Sequence, residues 1–234
     1  MSSPAAGPAR RVERLSAIYG QITEIADGLT PASAMLPSRC AAWTVQDVLY
    51  HQMLDARRAL IAFATSSAAE PDVDAVTYWR PFGALAGSRA APGGDGAARH
   101  ARHVRIAAAA YEVPILAAEW RDTSAAAVRA ALDCPHEAVA TQGHTLATGG
   151  FIDTLVVEAA VHYLDLTMSI PTAPAADPSA LALVREVLAG LAGTPMPAEW
   201  DDETTALKGT GRLPVTEEET AALGPAAGML PLLG

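Results

Sequence analysis

Leu155-Val156-Val157-Glu158-Ala159-Ala160-Val161-His162-Tyr163-Leu164-Asp165-Leu166 reads as the middle of one buried helix, predicted to run from about Phe151 to Ser169 and to end before Pro171. Apolar residues surround almost every turn, yet Glu158 and His162 stand four apart. They therefore project from the same face one turn apart, together with Leu155, Ala159 and Leu166. An unpaired carboxylate on a buried face costs several kcal/mol, and no lysine or arginine lies between Asp153 and Ile170 to balance it. A divalent metal ion would balance it, because side chains at i and i+4 on one helix make a good ligand pair. The same spacing also suits an ordinary helix pair, so the stretch leaves both readings open.

A third ligand must come from elsewhere in the chain. His51 is the best placed, on a helix expected from Thr44 to about Thr65, between Val48 and Leu54 or Asp55. Thr44 and Asp47 form a capping-box pattern at its start, and Trp43 precedes the cap. His51, Glu158 and His162 then form a two-histidine, one-glutamate set with a coordination position left open, the pattern of catalytic rather than structural sites. Such a set suits zinc first, and nickel, iron or manganese as well. Read by itself, His51 also suits a core histidine. Asp165, three residues after His162, and Asp47 and Asp55, on either side of His51, are candidates to orient the imidazoles. Each also suits a cap or a solvated charge. His100 and His103 lie among arginines on a solvated face, and His136 and His144 lie among turn residues. None of the four is expected as a primary ligand, although His144 can reach the mouth of the site from its loop.

Outward from these helices the chain reads as mainly α. A first helix is expected over about Ala9–Asp27, with Leu15, Ile18, Ile22 and Ile25 as its buried stripe and Gly28 as its stop. Ser66–Gly96 reads as a long connection with a short helix near Thr77–Ala86. A third helix is expected over about Ala97–Arg121, then a short one capped by Thr123 or Ser124, then turns over Pro135–Gly150. Pro178–Ala192 is a further helix. In the tail, Thr205–Arg212 reads as a strand entering a turn, and Thr216 with Glu219 caps a short helix to Leu223.

Composition narrows the function. The 234 residues carry a net charge of −10, which argues against a nucleic-acid partner. Polar groups at Asp153, Glu158, His162 and Asp165 argue against a membrane span in the most apolar stretch. Met1–Arg11 has no apolar run of the signal-peptide type, so a cytoplasmic protein is expected. Cys40 and Cys134 form no CxxC and no ligand-like cluster. No GxSxG, P-loop or GxGxxG motif follows a strand.

Trp43-Thr44-Val45-Gln46-Asp47-Val48-Leu49-Tyr50-His51, Glu158 with His162-Tyr163-Leu164-Asp165-Leu166, and a tail with Leu207-Lys208-Gly209-Thr210-Gly211-Arg212 and Leu230-Pro231-Leu232-Leu233 resemble the mycothiol-dependent maleylpyruvate isomerase family of DinB-like metalloenzymes. The resemblance implies a mainly α fold. Residues 1–172 would form a DinB-like metal-binding four-helix bundle, and residues 173–234 a small C-terminal appendage of mixed α/β structure. It implies a divalent metal on His51, Glu158 and His162, Asp165 and Asp47 behind them, and a small thiol such as mycothiol as cofactor with a small-molecule substrate. Arg212 is the candidate cofactor-binding residue of the tail. The family tail commonly has an arginine just before its Leu-Pro-Leu-Leu segment, where this chain has Met229. A divergent member acting on another substrate is therefore expected, as an isomerase or thiol transferase. Two other readings remain beside it. One is a thiol-independent Lewis-acid enzyme for hydrolysis, elimination or rearrangement, and the other is a non-catalytic metal-stabilised binding protein.

Overall fold

The computed structural model describes residues 7–82 and 96–233. It is mainly helical, with a small two-stranded sheet, in keeping with a DinB-like helical fold. Four long helices supply the centre: α1 (Pro8–Gly28), α3 (Val45–Phe63), α5 (Val113–Asp133) and α6 (Thr148–Thr167). Helices α1 and α3 each pack against both α5 and α6. A one-turn helix, α2 (Pro31–Ala34), and a shorter α4 (Gly96–Ala108) flank α3.

Each long helix forms for reasons visible in its own residues. Leu15, Ile18, Ile22 and Ile25 make the buried stripe of α1. At the start of α3 the Thr44 backbone N–H donates to Asp47 Oδ2 (2.8 Å) and the Asp47 N–H donates back to Thr44 Oγ1 (3.3 Å). This reciprocal cap satisfies two of the donors every helix start leaves open. Helix α6 is apolar nearly all round because it has no solvent face: α1, α3 and α7 (Pro178–Ala192) all cover it.

The expected third helix is two helices. Gln46 Nε2 donates to the carbonyls of Ala108 (2.7 Å) and Tyr111 (3.0 Å) where α4 ends. Pro114 then sits in the first turn of α5, where its missing N–H costs nothing, whereas within a continuous helix its ring would clash with the preceding turn. Thr123 and Ser124 do not cap a new helix. They lie inside α5, and Ser124 Oγ donates to the Arg121 carbonyl (3.2 Å). Of the expected Thr77–Ala86 helix, Thr77–Phe82 is a 3-10 turn and the remainder lies outside the described residues.

The turn region contains a hairpin that the sequence reading did not anticipate. Strands β1 (Ala138–Thr141) and β2 (His144–Ala147) pair antiparallel across Gln142-Gly143. Both loop residues have positive φ (48° and 82°), the conformation a two-residue hairpin turn demands and that Gly143 accepts readily. The strands are four residues each and rich in Ala and Thr, so their alternation is too short to stand out.

The tail strand expected over Thr205–Arg212 is instead helix α8 (Asp202–Gly209), capped by Asp201 Oδ1 accepting from Thr204 N–H (2.7 Å). Tertiary packing decides this: α8 lies on α7 so closely that a Cβ on Gly209 would stand 2.6 Å from Leu188 Cδ1. Helix α9 (Glu217–Leu223) carries the expected Thr216–Glu219 capping box. Among the described residues no helix is long and apolar enough to cross a membrane.

Candidate metal centre

Helices α3 and α6 face each other across the wall of a cavity of about 890 Å³. His51 comes from α3, one turn before Asp55, and Glu158 and His162 come from adjacent turns of α6. Three donor atoms converge there. His51 Nε2 is 3.1 Å from Glu158 Oε1, His162 Nε2 is 3.3 Å from the same oxygen, and all three atoms lie within 4.8 Å of one another. The structure thus brings together the residues that the sequence singled out as a set.

The other nitrogen of His162 looks the opposite way. Its Nδ1 lies 2.8 Å from Asp165 Oδ2. Asp165 is fully buried and receives two hydrogen bonds from Arg212, from Nε to Oδ1 (2.7 Å) and from Nη2 to Oδ2 (2.8 Å). Burial alone would raise the Asp165 pKa, but the bonds and charges of His162 and Arg212 outweigh it and hold the carboxyl well below its ordinary range. An ionised Asp165 fixes the His162 proton on Nδ1 and turns the Nε2 lone pair towards Glu158.

This arrangement leaves an electrostatic gap. A neutral His162 with its proton on Nδ1 would place a lone pair 3.3 Å from a carboxylate oxygen. The contact becomes attractive only with a positive charge between them, either a second proton or a cation. Accordingly, without an ion, burial works against the charged ring but hydrogen bonds to Asp165, Cys40 and Glu158 outweigh it and raise the His162 pKa well above its ordinary value. Burial likewise pushes Glu158 up, but both imidazoles outweigh it and hold Glu158 well below. Asp55, whose Oδ2 is 3.2 Å from His51 Nε2, is raised to about 6, by burial first and by Glu158 against the lowering effect of His51. His51 Nδ1 is buried without a hydrogen-bond partner while its Nε2 faces Glu158 Oε1 and Asp55 Oδ2, so without an ion the two carboxylates draw the ring proton to Nε2.

A second cluster, Cys40 Sγ, His162 Nδ1 and Asp165 Oδ2, also has ligand-like spacing. It is already closed. Cys40 Sγ donates to Asp165 Oδ2 (3.1 Å), and Arg212 supplies the cation that a metal would otherwise supply. The sequence reading saw no role for Cys40. A tight loop places it, in which Ser38 Oγ donates to the Trp43 carbonyl (2.9 Å) and Ala42 takes φ +63°, and no residue spacing announces that geometry.

Other candidates fall into place around this centre. Asp47 does not back His51: its Oδ2 accepts from the Thr44 N–H and from Thr44 Oγ1 (3.0 Å), so its carboxylate caps α3, and Asp55 is the acid beside His51. Arg212 lines the cavity, but its guanidinium is committed to Asp165. His100, read as part of a solvated face, turns its ring to 5.5 Å from that of His51 and lines the cavity. His144 pairs with Asp72 (2.9 Å) outside the cavity wall, which its hairpin reaches through Gln142. Tyr78 and Trp79, from the long connection, complete the apolar side.

A family model described as the mycothiol maleylpyruvate isomerase N-terminal domain matches residues 15–167. The chain belongs to that family. The match runs from within α1 to the end of α6, and so includes both helices that carry the converging donor atoms of this mycothiol maleylpyruvate isomerase-like chain. No curated protein and no solved structure matches it.

Proposed function

We propose that the chain is a divalent-metal enzyme that activates a small thiol, mycothiol being the one in its family's name, or an electrophilic substrate at an open metal position. One observation carries the reading: His51 Nε2, Glu158 Oε1 and His162 Nε2 converge on one point of a cavity wall, and among the described residues no arginine or lysine pairs with Glu158 there. These three residues would hold the ion, leaving a position for ligand. The donor set fits. Two imidazoles and a carboxylate suit zinc first, and nickel, iron or manganese as well. When bound, such an ion lowers the pKa of a coordinated thiol or water and polarises a substrate oxygen.

The chain's own residues prepare the site. Asp165, held by Arg212, keeps the His162 proton on Nδ1 and so keeps Nε2 free. His51 turns its Nε2 towards Glu158 Oε1 (3.1 Å), and a bound ion would displace the proton that the neighbouring carboxylates otherwise draw to that nitrogen. Trp43, Trp79, Phe151 and Leu155 line an apolar part of the wall beside these groups. We read the activity as isomerisation or thiol transfer on a small molecule in the cytoplasm. Met229 packs half-buried on the core where the family tail has an arginine, which favours a substrate other than maleylpyruvate.

Elemental analysis tests the reading. The wild-type protein is expected to carry stoichiometric metal, and His51→Ala and His162→Ala to carry none. Stoichiometric metal in both variants would sink it. Turnover with no added thiol would shift the assignment to a thiol-independent Lewis-acid enzyme.

A further inference from the structure

The cavity changes character along α6. Phe151, Leu155, Glu158 and His162 all line it, a run of twelve residues whose eleven steps span about 16 Å at 1.5 Å per residue. At the Phe151 end the wall is aromatic and apolar, completed by Tyr78 and Trp79. At the His162 end it is cationic, with Arg39 and Arg212.

These two arginines are not equivalent. Both oxygens of Asp165 hold Arg212, and Asp55 holds Arg58, the third arginine of the wall (2.7 Å). Among the described residues no carboxylate pairs with Arg39. Its Nε donates to the Leu164 carbonyl (3.3 Å) and its backbone N–H donates to the Asp165 carbonyl (3.4 Å). The side chain is thus held against α6 two residues beyond His162, while its two terminal nitrogens have no protein acceptor among the described residues. A guanidinium held in this way is a preorganised receptor for a carboxylate.

The geometry points to Arg39 as the anion-docking residue of the cavity, and to a monocarboxylate with an apolar body as the class of molecule bound there. Its carboxylate lies on Arg39, and its body runs past the Glu158–His162 turn towards Phe151, Tyr78 and Trp79. The segment of α6 from Glu158 to Phe151 spans about 10 Å, which sets the length of the apolar body. This assignment deepens the metal-enzyme reading and rests on it for the site of reaction, but not for binding.

The test uses the full zinc-loaded protein, with straight-chain carboxylates from butyrate to decanoate and the matching primary alcohols as probes. Binding is read by calorimetry or by tryptophan fluorescence, since Trp43 and Trp79 line the cavity. Octanoate is expected to bind about ten- to a hundredfold more tightly than octanol, the worth of charge-assisted hydrogen bonds. Affinity is expected to rise about fourfold with each methylene until the apolar end is filled. Arg39→Gln removes the preference for the acid and leaves octanol binding unchanged, and Arg39→Lys retains part of it. Equal octanoate affinity in wild type and Arg39→Gln overturns the assignment, as does affinity that ignores chain length. If Arg39→Gln does not fold, equal affinity of the wild type for octanoate and octanol overturns it as well. Metal content measured on the same samples separates the two readings. Arg39-dependent octanoate binding in a protein that takes up no metal removes the metal enzyme and leaves the subsite. Stoichiometric metal with binding indifferent to Arg39 does the reverse.

Discussion

Glu158 and Asp165 are acids two turns apart on one helix, joined through the two nitrogens of His162, and their surroundings are opposite. Asp165 is fully buried with a guanidinium on both oxygens, so its charge is balanced by the chain itself. Among the described residues Glu158 is met by two imidazoles, and no arginine or lysine pairs with it. The first half of the site is electrostatically finished and acts as a support. The second is unfinished and needs a proton or a cation from outside. The contrast teaches that a buried acid is informative less by its burial than by what neutralises it.

The contrast can be broken most strongly at the finished half. Arg212→Ala leaves the Asp165 carboxylate buried and uncompensated, at an expected cost of about 3–5 kcal/mol in denaturant unfolding. It should also weaken zinc binding about ten- to a hundredfold, because the His162 ring loses its fixed orientation. Arg212→Lys should fall between, keeping the charge without the two-pronged geometry. A loss below about 1 kcal/mol would show that Asp165 is not the anchored partner.

The unfinished half should reveal itself through pH. The His162 pKa in the folded, ion-free protein is raised above its ordinary 6.5. Its contribution to stability is therefore complete below that value and is lost as pH rises through the folded pKa. Glu158, held below its ordinary 4.5, contributes above that value and loses its contribution as pH falls. Zinc replaces the proton, so its stabilising effect should be small on the acid side and grow as pH rises towards and through the raised folded pKa of His162. With zinc near a thousandfold above its Kd the gain is about 4 kcal/mol, roughly 8–16 °C in thermal midpoint for a chain of this size. A zinc shift that is the same at acid and alkaline pH would contradict the proton-for-metal exchange.

The smallest effect separates scaffold from site. Thr44→Ala removes a helix cap and should cost about 1 kcal/mol while leaving metal content unchanged. Asp47→Ala should behave in the same way, since its carboxylate serves the cap. Asp55→Ala, beside His51, should instead lower zinc affinity with stability little changed. Equal effects of Asp47→Ala and Asp55→Ala on zinc would erase the distinction.

Much of the helical frame was legible because helix signals are local. Leu15, Ile18, Ile22 and Ile25 fall at helical spacing and are buried at it, and the Thr44–Asp47 and Thr216–Glu219 boxes cap the helices they announce. Readings failed where contacts distant in sequence outweighed local preference. Thr205–Arg212 has strand-like residues but packs as a helix on α7. The hairpin at Ala138–Ala147 is too short for its alternation to register. Asp47 carried two compatible readings, and only the position of its oxygens separated the cap from the site.

The candidate centre divides along the same line. Sequence alone determined that Glu158 and His162 share one face of an apolar helix, because the 3.6-residue period depends on nothing beyond the helix itself. It also determined that no lysine or arginine lies between Asp153 and Ile170 to answer Glu158 locally. Only the tertiary structure decided that His51, 107 residues earlier, meets that face, that Asp165 finds Arg212, and that Cys40 and Arg39 line the same cavity. Such meetings depend on how helices cross and how loops return. Those are set by the sum of many small packing terms rather than by any spacing along the chain.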